Sequence, residues 1–150
     1  MKERITQVAT QDGAMKTFIT HPEAGGPHPP VIIFMDIWGI REELYEIARR
    51  VATVGYYCAV PDLYWRQGEV LNQFRDGEGR MISLHYLDAA RQDQVHAPRD
   101  ALSDAGVMDD TAALLAFMDK DGAVRPGPVG SIGYCMGGWH VLNAAGHFPE

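Results

Sequence analysis

The sequence predicts an α/β domain in which a mostly parallel sheet carries helices on both faces. Two short runs, residues 31–35 and 56–60, are continuously apolar, as expected of strands that are buried on both faces. A third run, residues 129–134, ends in a glycine-flanked turn. Segments whose apolar residues recur at helical spacing separate and follow these runs. Such alternation of strands and helices is typical of a parallel sheet.

The chain begins with a predicted hairpin. Residues 5–10 and 15–20 predict two antiparallel strands at a sheet edge, joined by a turn at residues 11–13 that contains Asp-Gly. The loop that follows is rich in glycine and proline. Its histidines, His21 and His28, are expected to be solvated, because neither has a second ligand at metal-binding spacing. The sequence therefore indicates no metal site and no cofactor.

The first crossover is predicted from a helix between two buried strands. Residues 41–53 place their apolar side chains on one face of a helix and their charges on the other. A right-handed connection of this kind makes the strands at residues 31–35 and 56–60 a parallel pair. Cys58 lies in the middle of the second strand, and we expect it to be a core residue.

The segment before the third strand is less regular. Residues 67–79 are polar and contain glycine, so they predict a loop over the top of the sheet. Residues 85–90 predict a short helix that is broken at residues 96–98, because proline lacks the N–H that a helix needs. Residues 103–118 predict a longer helix with an apolar stripe, which leads towards residues 129–134.

The glycine-flanked turn has the pattern Gly-x-Cys-x-Gly, with Cys135 between Gly133 and Gly137. A strand, this turn and a helix form a nucleophile elbow, in which the glycines leave room that a Cβ would fill. The amino terminus of the helix favours a thiolate at Cys135. One alternative is that Cys135 is a small buried core residue. A phosphate-binding loop does not fit, because neither G-x-G-x-x-G nor Gly-Lys-Ser/Thr is present.

Composition narrows the range of functions. A chain of 150 residues predicts a single domain, and a net charge of −7 argues against a nucleic-acid partner. No apolar run is long enough to cross a bilayer, so no membrane partner is expected. The two cysteines are too few for a disulfide framework, which indicates a reducing compartment and a cytoplasmic location.

Two strand ends are predicted to share one site. Ligands bind beyond the carboxyl ends of the strands in such sheets, which places Asp36 and Ile37 near Cys135 and Met136. Four blocks carry a resemblance to a known family: MDIWG (35–39), GY (55–56), PDLYWRQ (61–67) and GYCMGG (133–138). In this order they resemble the dienelactone hydrolase family, α/β hydrolases with a cysteine nucleophile.

The resemblance implies a carboxymethylenebutenolidase-like hydrolase of small esters or lactones. Cys135 would attack the carbonyl carbon and form a thioester, while the backbone N–H groups of Ile37 and Met136 would bind the oxyanion. Asp36 would lie near the sulfur and accept its proton. A carboxylate that only fixes its own loop is the alternative for Asp36. An acyl transferase would share the thioester, and a non-catalytic domain that binds a ligand or partner would keep only the fold.

The expected catalytic set is incomplete. In this fold the nucleophile is followed along the chain by an acid and then a histidine. Only one helix follows Cys135, and its histidines, His140 and His147, are expected to be packing or surface residues. We therefore expect residues 1–150 to be the front part of a longer hydrolase domain, inactive alone. The sheet edge left open after residues 129–134 favours self-association.

Overall fold

The computed structural model of the chain describes residues 1–70 and 73–149. Its strands are β1 (Lys2–Ala9), β2 (Ala14–His21), β3 (Pro30–Phe34), β4 (Tyr57–Pro61) and β5 (Gly130–Gly133). Its α-helices are α1 (Glu42–Thr53), α2 (Ala89–Asp100), α3 (Asp104–Met118) and α4 (Met136–His147). The five strands form one sheet in the order β1-β2-β4-β3-β5.

The sheet is mixed. β1 pairs with β2 and β2 with β4 in antiparallel fashion, whereas β3 pairs in parallel with both β4 and β5. The predicted edge hairpin and the predicted parallel pair across α1 are both confirmed. Phe34 is level with Gly133 in the register of β3 and β5. The segments that follow these two strands therefore leave the sheet side by side.

Helices cover both faces of the sheet, as predicted. α1 packs on β2 and β4, and the ring of Tyr45 stacks on Phe18 with 4.2 Å between centroids. Thr17 and Ile19 flank Phe18 on β2 and point to the opposite face, because side chains alternate along a strand. They too are fully buried. α3 packs against β1 and α4, and α4 packs against β3 and β5.

The predicted helix break at residues 96–98 is wrong. α2 runs through this segment and ends two residues after Pro98. The Asp88 carboxylate caps the helix by accepting from the backbone N–H of Arg91 at 2.9 Å. Val95 and Pro98 are buried, and their apolar contacts offset the hydrogen bond that a proline near the end of a helix removes. Residues 85–90 instead contain a 3₁₀ turn (Leu84–Tyr86) and the start of α2.

The prediction that His21 and His28 are solvated is also wrong. Each has only 5% of its surface exposed. β2 extends to include His21, whose ring stacks on Tyr57 with centroids 5.5 Å apart and lies 5.6 Å from the ring of His28. The aromatic contacts bury side chains that composition alone would place in solvent.

The predicted loop at residues 67–79 is described in part. A 3₁₀ turn (Trp65–Gln67) precedes it, and Arg75 forms an isolated antiparallel bridge with Met81. Residues 71 and 72 of this prediction lie outside the described residues. In the described ranges, we find no helix that combines the length and the apolar character needed to span a bilayer.

Candidate active site

Cys135 occupies the turn between β5 and α4. Its backbone has φ 56° and ψ −124°, and among the described residues it is the only non-glycine residue with positive φ. Such a conformation is strained and persists only where surrounding contacts hold it. Here the N–H groups of Gly137 and Gly138 donate to the carbonyl oxygens of Tyr134 and Cys135, at 2.9 and 3.0 Å. The Cys135 side chain is exposed, so the turn has the geometry of the predicted elbow.

The two glycines of the elbow have no room for a side chain. A Cβ on Gly133 would lie 2.2 Å from the carbonyl oxygen of Gly137. A Cβ on Gly137 would lie 2.4 Å from the carbonyl oxygen of Phe34, at the end of β3. Both contacts are with backbone, which cannot move aside as a flexible side chain would. Because residue 137 is glycine, the first turn of α4 can lie directly against the end of β3.

This close approach brings together the two segments that were predicted to form an oxyanion hole. Ile37 follows β3 and Met136 begins α4. Tyr64 lies between these segments, with its hydroxyl 2.9 Å from the carbonyl oxygen of Ile37 and 3.8 Å from Met136 Sδ. Within residues 1–70 and 73–149, neither the N–H of Ile37 nor that of Met136 has a hydrogen-bond partner. The fold of the described residues uses neither donor, and binding of an oxyanion by these N–H groups stays a prediction.

Asp36 is bound by residues of its own loop. Its two carboxylate oxygens accept from the Arg41 guanidinium at 2.7 and 2.8 Å, and one also accepts from the Trp38 N–H at 3.0 Å. The side chains of this ion pair are only 16% and 11% exposed. No hydrogen bond joins Asp36 to Cys135 in the part of the chain that the structure describes. These contacts are those of the loop-fixing alternative, and proton acceptance by Asp36 stays a prediction.

A pocket of about 380 Å³ opens beside Cys135. Its walls come from the loop after β3, the end of α2, the start of α3 and the first turns of α4. The lining residues are Ile37, Arg99, Leu102, Asp104, Cys135, Met136, Trp139 and His140. On its rim, Trp139 Nε1 donates to Asp104 Oδ1 at 2.9 Å. The pocket is large enough for a small organic substrate placed against the thiol.

His140 is the histidine nearest in sequence to Cys135, and it is a packing residue. Only 3% of its surface is exposed, and its ring lies 6.1 Å from that of Phe34. Within the described residues, neither ring nitrogen has a hydrogen-bond partner. Burial lowers the pKa of His140, against an opposite effect of the nearby Asp104 carboxylate, so the ring is neutral at physiological pH. His147, on the last turn of α4, is exposed.

Sequence reasoning missed several residues around the site. Arg41 gave one signal, because a cation five residues after Asp36 and next to a helix start is well placed to bind it. Arg99 gave none, because the predicted break at residues 96–98 removed the end of α2 that brings it to the pocket. Asp104 lies in the helix predicted at residues 103–118, but nothing in the sequence placed the start of that helix beside Cys135. Tyr64 belongs to the block PDLYWRQ (61–67), one of the four that carry the resemblance. The structure places it in the core, with its hydroxyl at the junction of the two oxyanion segments.

The chain matches the family model of the dienelactone hydrolase family over residues 15–150. It belongs to the dienelactone hydrolase family. The matched range includes both strand ends described above, with Asp36, Ile37, Cys135 and Met136. The resemblance carried by the four sequence blocks is therefore confirmed.

Two related sequences align with nearly the whole chain. A protein of Methylorubrum extorquens named "Putative carboxymethylenebutenolidase" is 29% identical over 95% of this chain and 44% of its own length. A protein of Synechocystis with the same name is 28% identical over 97% of this chain and 54% of its own length. The chain thus spans about half the length of these curated relatives.

Solved structures share the fold. A crystal structure named as a putative dienelactone hydrolase from Klebsiella pneumoniae superposes with a TM-score of 0.73 and 27% identity, over 96% of this chain and 54% of that chain. The 2,6-dihydroxy-pseudo-oxynicotine hydrolase superposes with a TM-score of 0.66 and 20% identity, over 99% of this chain and 34% of that one. At this lower identity the likeness concerns the fold alone. The α/β-hydrolase fold predicted from the sequence is confirmed.

Proposed function

We propose that the whole protein hydrolyses small esters or lactones through Cys135. The observation that carries this proposal is the exposed thiol on the strained elbow, at the amino terminus of α4 and beside a pocket. An anion at the amino terminus of a helix is typically stabilised by about 0.3–1 kcal/mol at an exposed position. The family to which the chain belongs supports hydrolase chemistry.

The proposed reaction uses the groups around the Cys135 sulfur. The Cys135 thiolate attacks the carbonyl carbon and forms a tetrahedral oxyanion, which accepts hydrogen bonds from the N–H groups of Ile37 and Met136. Loss of one such donor typically costs about 3 kcal/mol of transition-state stabilisation. The general base returns the proton of the thiol to the departing alkoxide, which leaves as an alcohol, and a thioester remains. Water then attacks the thioester and releases the acid and the thiol.

This scheme needs a general base that activates Cys135 and later the water. In the described ranges no histidine forms a hydrogen bond with Cys135, and His140 is buried and neutral. We therefore assign the base to a histidine, held by an Asp, elsewhere in the whole protein. It follows that residues 1–150 alone would hydrolyse esters no faster than the slow background rate.

A thioester trap tests the proposal. The whole protein is mixed with p-nitrophenyl acetate, quenched in acid and analysed by mass spectrometry, and we expect one acetyl group on Cys135. Cys135→Ala should lower turnover at least about 1,000-fold. Cys58→Ala is the matched control and should keep its turnover. Turnover that survives in Cys135→Ala would reject the mechanism, and a whole protein that binds esters without acylation would favour the binding-domain alternative.

The role of Asp36 can be separated from that of its loop. If Asp36 accepts the proton of Cys135, Asp36→Asn should lower turnover and the ultraviolet absorbance of the thiolate, with little change in melting temperature. If Asp36 only fixes the loop, the thiolate signal should persist while stability falls by about 1–3 kcal/mol, since Arg41 loses a mostly buried partner. Arg41→Met breaks the same ion pair but keeps the Asp36 carboxylate. It is the control for the outcome in which Asp36 only fixes its loop.

The proposal extends to location and assembly. Both cysteines are free thiols, as they would be in the cytoplasm. β5 is the last strand of the described sheet and has β3 on one side only. An open edge of this kind pairs with another strand, either from the whole protein or from a second copy. Light scattering on residues 1–150 should show dimers or larger species, and a stable monomer would contradict the expected self-association.

A further inference from the structure

Tyr64 is a buried residue beneath the two segments of the proposed oxyanion hole. It follows the carboxyl end of β4 and has 1% of its surface exposed. Its hydroxyl donates to the carbonyl oxygen of Ile37 at 2.9 Å and lies 3.8 Å from Met136 Sδ. The ring packs against Gly39, where an added Cβ would be 3.4 Å from Tyr64 Cδ2. Its own backbone N–H donates to Asp62 Oδ1 at 3.0 Å, which fixes its position.

The peptide plane between Ile37 and Trp38 is bound at both of its polar ends. Its carbonyl oxygen, from Ile37, accepts from the Tyr64 hydroxyl, and its N–H, from Trp38, donates to Asp36. Asp36 is held in turn by Arg41. The adjacent plane carries the N–H of Ile37, and its carbonyl oxygen, from Asp36, accepts from the backbone N–H of Gly39 at 3.2 Å. The bonds on the two planes together restrict the direction of the Ile37 N–H. That N–H is the group proposed to bind the oxyanion.

We propose that Tyr64 is a positioning residue, whose hydroxyl fixes the direction of the Ile37 N–H so that it meets the oxyanion formed on Cys135. The inference rests on the proposed function, because it requires a carbonyl substrate that Cys135 attacks. A position accurate to a fraction of an ångström matters for such a donor, since misplacement by about 1 Å can cost roughly 100-fold in rate. Tyr64 does not touch the substrate and acts only through Ile37.

The hydroxyl can keep this role at any pH used for an assay. Burial raises the pKa of Tyr64, and the charge of Asp36 raises it further. The phenol therefore stays protonated and remains a donor. An ionised phenolate would lose its bond to the carbonyl oxygen, and the raised pKa of Tyr64 disfavours that state at physiological pH.

Tyr57 offers a matched control. It is also a buried tyrosine, and its hydroxyl donates to Asp121 Oδ2 at 2.8 Å. It begins β4, whereas Tyr64 follows the end of that strand, so Tyr57 lies at the end of the sheet away from Cys135. Replacement of either tyrosine by phenylalanine removes one buried hydroxyl and its two hydrogen-bond contacts. Only Tyr64→Phe should affect the oxyanion segments.

The test compares two reactions of the same sulfur in the whole protein. Acetylation of Cys135 by p-nitrophenyl acetate passes through an oxyanion, whereas alkylation by iodoacetamide displaces iodide and does not. Tyr64→Phe should slow acetylation about 10- to 100-fold and leave alkylation within about twofold. Tyr57→Phe should leave the ratio of the two rates unchanged. In the steady state, Tyr64→Phe should lower kcat and leave KM nearly unaltered.

Each outcome has a separate meaning. If Tyr64→Phe leaves the ratio of the acetylation rate to the alkylation rate unchanged, the positioning role is overturned. A fall in both rates by the same factor is one such result, and it would indicate that Tyr64 acts through packing alone. Unlabelled Cys58 in the same samples verifies that each variant is folded, because this thiol is fully buried. If the unmodified protein is alkylated but not acetylated at Cys135, the proposed function itself fails, and the role of Tyr64 fails with it.

Discussion

The two cysteines of this chain show how the fold determines the chemistry of one residue type. Cys58 lies inside β4 and is fully buried, and burial raises the pKa of its thiol to about 12. Cys135 lies just beyond β5, in an exposed and strained turn at the amino terminus of α4. The first is a small apolar core residue. The second has the exposure and the helix end that a reactive thiolate needs.

The expected difference in reactivity between the two thiols comes from the glycines around Cys135 and not from the cysteine itself. β4 is a regular strand in which any small apolar residue fits. The elbow exists because Gly133 and Gly137 let two backbone segments approach more closely than a Cβ allows. Reactivity is therefore expected to depend on these glycines as much as on the thiol.

The largest expected effect comes from Gly137→Ala. The new Cβ would lie 2.4 Å from the Phe34 carbonyl oxygen, so α4 must move away from β3 or the chain must unfold. We expect a loss of about 3 kcal/mol or more in the free energy of unfolding, with slower alkylation of Cys135. Gly138→Ala is the control, since its Cβ would lie 3.6 Å from the nearest atom and alanine favours the helix. Urea denaturation of both variants measures the difference. Equal stability would show that the elbow does not depend on residue 137.

Substitution by serine should lower stability at one cysteine and turnover at the other. Cys58→Ser places a hydroxyl in an apolar strand and should destabilise the protein by about 2 kcal/mol. Cys135→Ser lies at an exposed position and should change stability by less than about 0.5 kcal/mol, while turnover of the whole protein falls. Thermal melts and ester assays give the two readouts. Similar losses of stability at both sites would contradict the contrast between core and elbow.

A pH dependence follows from the burial of Cys58. The unfolded chain loses the thiol proton near pH 9.0, whereas the folded chain keeps it to about pH 12. Between these values the folded state binds more protons, so stability falls as the pH rises, by about 1.4 kcal/mol per pH unit for this group. Cys58→Ala should remove this part of the slope, which urea midpoints at several alkaline pH values would measure. An unchanged slope would mean that the thiol ionises equally in both states.

Local patterns of apolar residues and glycines predicted most of the fold. Buried strands, the hairpin turn, and α1 and α3 follow from apolar spacing and from glycine, because these signals are local. The predicted break at Pro98 failed because contacts with distant residues, such as the Gln67 side chain that donates to the Pro98 carbonyl oxygen at 2.9 Å, support the end of α2. Local sequence contains no information on such contacts.

The site was predictable mainly at the elbow, where the glycine pattern is that of a known type of turn. The elbow around Cys135 follows from its glycines, and the register of β3 and β5 then places Ile37 nearby. The partner of Ile37 did not follow, because Tyr64 lies 27 residues away and meets it only in the tertiary fold. Arg41, five residues after Asp36, is a local partner that the sequence indicated. The role of Asp36 needs the variants described above.

The central claim is that Cys135 is the reactive thiol of this fold. The most direct measurement is the rate of alkylation of each cysteine by iodoacetamide, followed by peptide mass spectrometry on the folded whole protein together with its esterase activity. We expect Cys135 to be labelled at least about 100-fold faster than Cys58, because Cys58 is buried with a raised pKa, and activity to fall in step with labelling. Preferential labelling of Cys58, or activity that survives complete labelling of Cys135, would contradict the claim.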